Sequence, residues 1–165
     1  MEPASSLAKS LEPSSASSRL RPVPDLVFKI RNDFDDLPAV ASAATQFLET
    51  NEVPSEVIFA ANLAIEEIVT NTIKYGYSDM LQHEIAIRLS LTMDALKIEI
   101  CDDGNEFDPF SQPEPNLRIP CNQREIGGLG IHFVRNMLDA CAYVRREGRN
   151  IVSLTKRLER ERKGD

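Results

Sequence analysis

No two of the three cysteines, Cys101, Cys121 and Cys141, form a CxxC pair, and any pairing among them leaves one over. That fits a reducing cytoplasm better than a disulfide-stapled secreted scaffold, and the three read as ordinary thiols. Positive charge is also scarce: 19 Lys and Arg stand against 26 Asp and Glu, a formal net charge of −7. That argues against non-specific nucleic-acid binding, which needs cations to neutralise phosphates. There is no uninterrupted apolar run of membrane-spanning length. The N-terminal MEPASSLAKSLEPSSASSRLRP has no basic segment followed by an apolar one, so a cytoplasmic location is expected. No GxxxxGK[ST] loop occurs. After Gly128 and Gly130, the place where a dinucleotide fingerprint would carry its third glycine is Phe133.

What is present suits one domain. A chain of 165 residues buries about two-thirds of its unfolded surface and needs no staple. Residues 1–24 are rich in Ser, Pro and Ala without hydrophobic period and read as a disordered tail. LVFKI at Leu26 to Ile30 suits a short strand. Leu37 to Glu49 suits a helix, with Asp35 and Asp36 as possible caps and Pro38 in its first turn. A longer helix runs between Pro54 and Gly76, and Val57, Ala61, Ala64, Ile65, Ile68 and Thr72 fall on one arc of it, the core face. Alternation at Ile85, Ile87, Leu89, Leu91 and at Leu96, Ile98, Ile100 predicts two strands, with Met93 to Ala95 in their turn. Their single apolar face predicts an antiparallel sheet covered on one side. Residues 105–127 are too proline-rich and too long for a plain connection, and a loop of that length is either a functional lid or disordered. A helix from Gly128 to about Leu138 follows. Two strands, Cys141 to Arg146 and Ile151 to Leu158, then close the domain around a turn at EGRN. The basic ending, residues 159–165, reads as a solvated segment.

Three local patterns carry chemistry. Glu67, Asn71 and Lys74, spaced i, i+4, i+7, form a strip along the border of the long helix's apolar arc, whereas Glu66 points about 100° away and is expected in solvent. CDDGNEFDP, Cys101 to Pro109, ends an apolar strand in Asp102, Asp103 and Gly104. IGGLG, Ile126 to Gly130, precedes an apolar helix. Each alone has an ordinary meaning: a polar helix border, a turn, a glycine-punctuated loop. Their order, on elements of the right type, is the stronger signal.

Glu67 to Asn71, Asp102-x-Gly104 and Gly128-x-Gly130 resemble the N, G1 and G2 boxes of the GHKL ATPases. The DDGxxFDP form of the second box, the run GGLGIHFVRNMLD and the ending VSLTKRL are similar to the small bacterial anti-sigma factor serine kinases. The resemblance covers about residues 25–158 and implies an α+β fold: a two-layer α/β sandwich of the Bergerat type, with a mixed, mostly antiparallel sheet and helices on one face. It implies ATP and Mg2+ as ligands, with Asn71 on magnesium, Glu67 as general base toward a serine hydroxyl, and Lys74 near a phosphate. Asp102 would accept from the adenine amine, which favours ATP over GTP because guanine offers a carbonyl there. Gly104 would let backbone approach the base. Gly128 and Gly130 would turn helix N-terminal amides toward the phosphates, and Arg124 is a candidate γ-phosphate contact. The implied partners are a sigma factor and an anti-anti-sigma protein of the STAS type, with the chain as a homodimer. Glu106 stands where many GHKL proteins have a second glycine, and Tyr75 where related kinases often have histidine. The only two histidines, His83 and His132, read as structural or surface groups, against a histidine kinase with its own phosphoacceptor helix. A second function, an interaction module whose shape ATP stabilises without phosphoryl transfer, stays open.

Overall fold

The computed structural model of the chain describes residues 25–111 and 129–158. Strand β1 (Leu26–Arg31) leads through a single 3-10 turn (Phe34–Asp36) into helix α1 (Leu37–Thr50). Helix α2 (Ser55–Tyr75), strand β2 (Glu84–Leu91), strand β3 (Ala95–Asp102), helix α3 (Leu129–Met137), strand β4 (Ala140–Arg146) and strand β5 (Arg149–Arg157) follow. Asp33, rather than Asp35 or Asp36, caps the entry: its Oδ1 accepts from the Asp35 amide at 3.1 Å, while Asp36 makes no side-chain cap bond to α1. Pro38 occupies the first turn of α1, where its missing N–H costs nothing.

The five strands form one sheet in the order β1-β2-β3-β5-β4. All four pairings are antiparallel, in a sheet expected to be mixed but mostly antiparallel. Period-two alternation settles its two faces. Ile85, Ile87, Leu89, Leu96, Ile98, Ile100, Val152 and Leu154 are buried against the helices, and Arg88, Lys97, Glu99 and Ser153 are exposed on the other side. Burying an aliphatic side chain of this size stabilises by about 1.5–3 kcal/mol, so the alternation fixes register firmly. The β2–β3 turn lies at Thr92 to Asp94, one residue earlier than the sequence suggests. Thr92 Oγ1 donates to the Ala95 carbonyl at 3.0 Å, and Ala95 opens β3 opposite Arg157. The β4–β5 hairpin turns on Glu147 and Gly148 alone, both at positive φ (51° and 77°), the geometry that suits strand twist. Strand β5 therefore begins two residues earlier than expected, and this brings Asn150 into the sheet.

Helix α2 lies between α1 and α3 and packs on β3. Its expected core residues Val57, Ala61, Ala64, Ile65 and Ile68 are buried, joined by Ala60 and Val69; Thr72 is half-buried. No helix of the described residues is long and apolar enough to cross a membrane.

Candidate functional site

The end of β3 meets the end of α2. Asp102 and Asn150 are each 4% exposed, and they are the buried polar residues among those described. They face one another in the β3–β5 register. Asp102 Oδ1 accepts from the Gly104 amide and from Asn150 Nδ2, both at 2.8 Å. Its Oδ2 has no hydrogen bond to a described residue. Burial raises the Asp102 carboxyl above its ordinary pKa, opposed by the Asn150 amide, the Gly104 N–H and the Arg145 charge.

Next to Asp102 is a crevice with about 340 Å³ of empty space, its open mouth included. Asn71 and Thr72 of α2, Asp102, Asn105 and Asn150 supply its polar lining. Ile68, Phe107, Pro109 and Val152 supply apolar walls. Such a cleft, apolar with a few convergent polar groups, is the usual form of a small-ligand site. The Asn71 side chain is half-buried and hydrogen-bonds to no described residue, so its amide is available to a ligand.

Glu67, one turn before Asn71, is half-buried, and Glu66 is exposed as its helical position dictates. A Cβ placed on Gly130 would collide with the Glu67 carboxylate, so the carboxylate lies against bare backbone in the first turn of α3. A carboxylate is favoured at a helix N-terminus. Lys74 is exposed in the last turn of α2 and is not part of the crevice lining. Arg124 and Gly128, like Cys121, lie outside the described residues. Tyr75 and Glu106 are exposed.

Gly104 has a firmer reason than access to a base. A Cβ there would stand 2.6 Å from the Gly76 carbonyl oxygen and 2.9 Å from Asp102 Oδ1. The loop and the helix end thus touch backbone to backbone, and the Asn105 amide donates to the Gly76 carbonyl beside them. Because that carbonyl belongs to the main chain, Gly104→Ala is expected to cost about 1–3 kcal/mol, measured as a lowered denaturation midpoint in urea.

Sequence reasoning missed three residues: Asn105, Arg145 and Asn150. Asn105 Nδ2 donates to Ser78 Oγ at 2.7 Å and its carbonyl accepts from Asn150 at 2.9 Å. Arg145 Nη1 donates to the Gly104 carbonyl at 2.8 Å. His83, read as structural, bridges the same region: Nδ1 is 3.0 Å from Asp103 and Nε2 is 2.9 Å from Asp79, and its ring stacks on Tyr77. The aspartates raise its pKa, with Asp79 the larger cause. The Tyr77 hydroxyl is buried without a described partner, and burial together with Asp102 and Asp103 pushes its ionisation far up.

With this geometry in view, the family described as histidine kinase-like ATPase domain matches residues 30–156. The chain belongs to that family. It is 29% identical over 99 residues to the serine/threonine-protein kinase BtrW of Bordetella bronchiseptica, covering 59% of this chain and 68% of that one. It is 29% identical over 105 residues to the serine-protein kinase RsbW of Bacillus subtilis, covering 61% and 64%. It is 27% identical over 125 residues to the anti-sigma F factor of Oceanobacillus iheyensis, covering 75% and 83%. The chain thus spans about two-thirds of the two kinases. Its fold is similar to that of a crystal structure of the RsbU and RsbW domains of Rv1364c from Mycobacterium tuberculosis. That likeness has a TM-score of 0.61 at 16% identity, over 83% of this chain and 33% of that one. The curated relatives are serine kinases and anti-sigma factors, which supports a protein-kinase role for a histidine kinase-like ATPase domain with this crevice.

Proposed function

We propose that this chain is a cytoplasmic protein-serine kinase of the anti-sigma type. It transfers phosphate from Mg-ATP to a serine of an anti-anti-sigma (STAS) partner, otherwise holds a sigma factor, and works as a homodimer through a kinase unit of residues 25–158. One observation carries the nucleotide half of this reading: Asn71 and Asp102 face one crevice, with Glu67 a single turn away against Gly130. The adenine would lie between the apolar walls with its exocyclic amine toward Asp102 Oδ2, the oxygen without a described partner. Asn71 would present its amide oxygen to magnesium, which when bound offsets the charge of the phosphate oxygens. Its hard oxygen donor suits that ion. Among the described residues no group of three His, Cys, Asp or Glu is arranged to hold a metal ion, so the phosphates would supply most of the coordination.

In the transfer, the serine oxygen bonds to the γ-phosphorus as the bond between that phosphorus and the β–γ bridging oxygen breaks. ADP leaves, and the hydroxyl proton passes to the Glu67 carboxylate. That role needs hydrogen-bond reach to the hydroxyl. Lys74, Gly128, Gly130 and Arg124 are proposed around the phosphates.

Gly130→Ala tests the placement of the base. Alanine is the better helix former, and the atom it displaces is the tip of a flexible side chain, so thermal stability is expected to hold or rise slightly. Transfer to the partner should fall about 10²-fold, the scale of a misplaced reacting group. Unchanged transfer would remove Glu67 from the chemistry.

The reading as a whole is tested by incubating the chain with γ-labelled ATP, magnesium and serine-bearing candidate partners encoded beside it. Label on one partner, stable to the conditions that hydrolyse phosphohistidine, is the expected result. A chain that binds ATP yet labels none of them would favour the interaction module instead.

A further inference from the structure

The hydrogen bonding of Asn150 is fully used inside the protein. Its Nδ2 donates to Asp102 Oδ1 at 2.8 Å and to the Asn105 carbonyl at 2.9 Å. Its Oδ1 accepts from the Tyr143 hydroxyl at 2.8 Å and from Arg145 Nη1 at 2.7 Å. A primary amide has two donor hydrogens and two acceptor lone pairs, so nothing is left over for a ligand. Tyr143 and Arg145 come from the edge strand β4, and Asn150 sits on β5 opposite Asp102, so one amide joins three strands to the loop beyond β3. A buried polar network of this kind is stable only if every member is satisfied, and this amide is.

The consequence falls on Asp102. The last torsion of an aspartate is broad, and either oxygen can face a given direction. Here Oδ1 is engaged twice, by Asn150 and by the Gly104 amide, which fixes the carboxylate plane and leaves Oδ2 without a described partner beside the crevice that Asp102 lines. We propose that Asn150, oriented by Tyr143 and Arg145, is the positioning residue that sets base selectivity at this site. By holding Asp102 as a directed acceptor it favours purines with an amine at C6 over purines with a carbonyl there. This rests on the reading of the crevice as an ATP site.

The test measures ATP and inosine triphosphate on the full chain by competition with a fluorescent ATP analogue. The two ligands share the triphosphate and differ at C6. Wild type is expected to prefer ATP at least tenfold, in line with a hydrogen bond to a charged acceptor. In Asn150→Ala the ATP preference should shrink to within about threefold while inosine triphosphate binds as in wild type. Asn150→Asp is nearly isosteric and carries the test if the alanine variant unfolds. Its carboxylate faces that of Asp102, and of two such groups one is held protonated to raised pH. The other charged or titratable groups facing the pair are Asp103, Arg145, Tyr77 and Tyr143. The ATP preference of Asn150→Asp should therefore be lost at high pH and return as pH falls, when the shared proton restores a donor toward Asp102. A purely structural role for Asn150 would not produce that return. Wild-type preference in both variants at every pH would overturn the proposal, as would parallel loss of both nucleotides. Failure of wild type to bind either nucleotide would instead remove the ATP-site reading beneath it.

Discussion

Glu67→Gln is expected to lower phosphoryl transfer about 10²- to 10⁴-fold while leaving ATP affinity within about twofold. The substitution keeps shape and volume and removes the negative charge, and with it the capacity to take a proton. Glu67 is half-buried and makes no hydrogen bond to a described residue, so glutamine leaves no described group unpaired and the fold should be unaffected. Its carboxylate lies against Gly130, and a glutamine amide fits the same space. The measurement is a single-turnover assay with labelled ATP and the phosphoacceptor, alongside a binding titration. If transfer proceeds at the wild-type rate, the proton goes elsewhere and Glu67 is a bystander. If ATP binding falls in step with transfer, the residue holds the nucleotide rather than serving the chemistry.

Asp102→Asn is expected to weaken ATP binding roughly tenfold to a hundredfold and to reverse the order of ATP and inosine triphosphate. The reversal follows from the two bonds that Asp102 Oδ1 receives. The Gly104 amide and Asn150 Nδ2 both need an acceptor, so the new amide must place its oxygen there. Its NH2 then occupies the position of Oδ2. A donor would face the adenine amine, also a donor, whereas a C6 carbonyl would find a partner. Fluorescence titration with both triphosphates reads the outcome. Retention of the wild-type order would mean that the base lies elsewhere than against Asp102.

Much of this architecture was readable from the chain. The arc Val57, Ala61, Ala64, Ile65, Ile68 marks the buried side of α2 because a helix repeats every 3.6 residues, and the period-two runs mark the inward faces of β2 and β3. Asn71 and Asp102 could be singled out because a polar residue at the border of an apolar arc, or at the end of an apolar strand, breaks a local pattern. The positions that support them break none. Asn150 lies 48 residues from Asp102 in a stretch that reads as part of a turn, and Arg145 lies 41 residues from Gly104. Their meeting depends on β5 entering the sheet between β3 and β4 in one register, and no local periodicity encodes the partner of a strand. The contact of Gly104 with Gly76 is hidden for the same reason: each glycine looks like ordinary punctuation until the two elements are brought together.

The order of strands has a consequence for biosynthesis. The chain leaves the ribosome from its N-terminal end, yet β5, the last in sequence of the described strands, belongs to the interior of the sheet. Until it arrives, β3 offers a row of unpaired main-chain groups to any neighbouring nascent chain, a known invitation to aggregate. The same delay leaves Asp102 without its amide clamp, so on the proposed reading nucleotide would stabilise only a chain whose β5 has already joined the sheet.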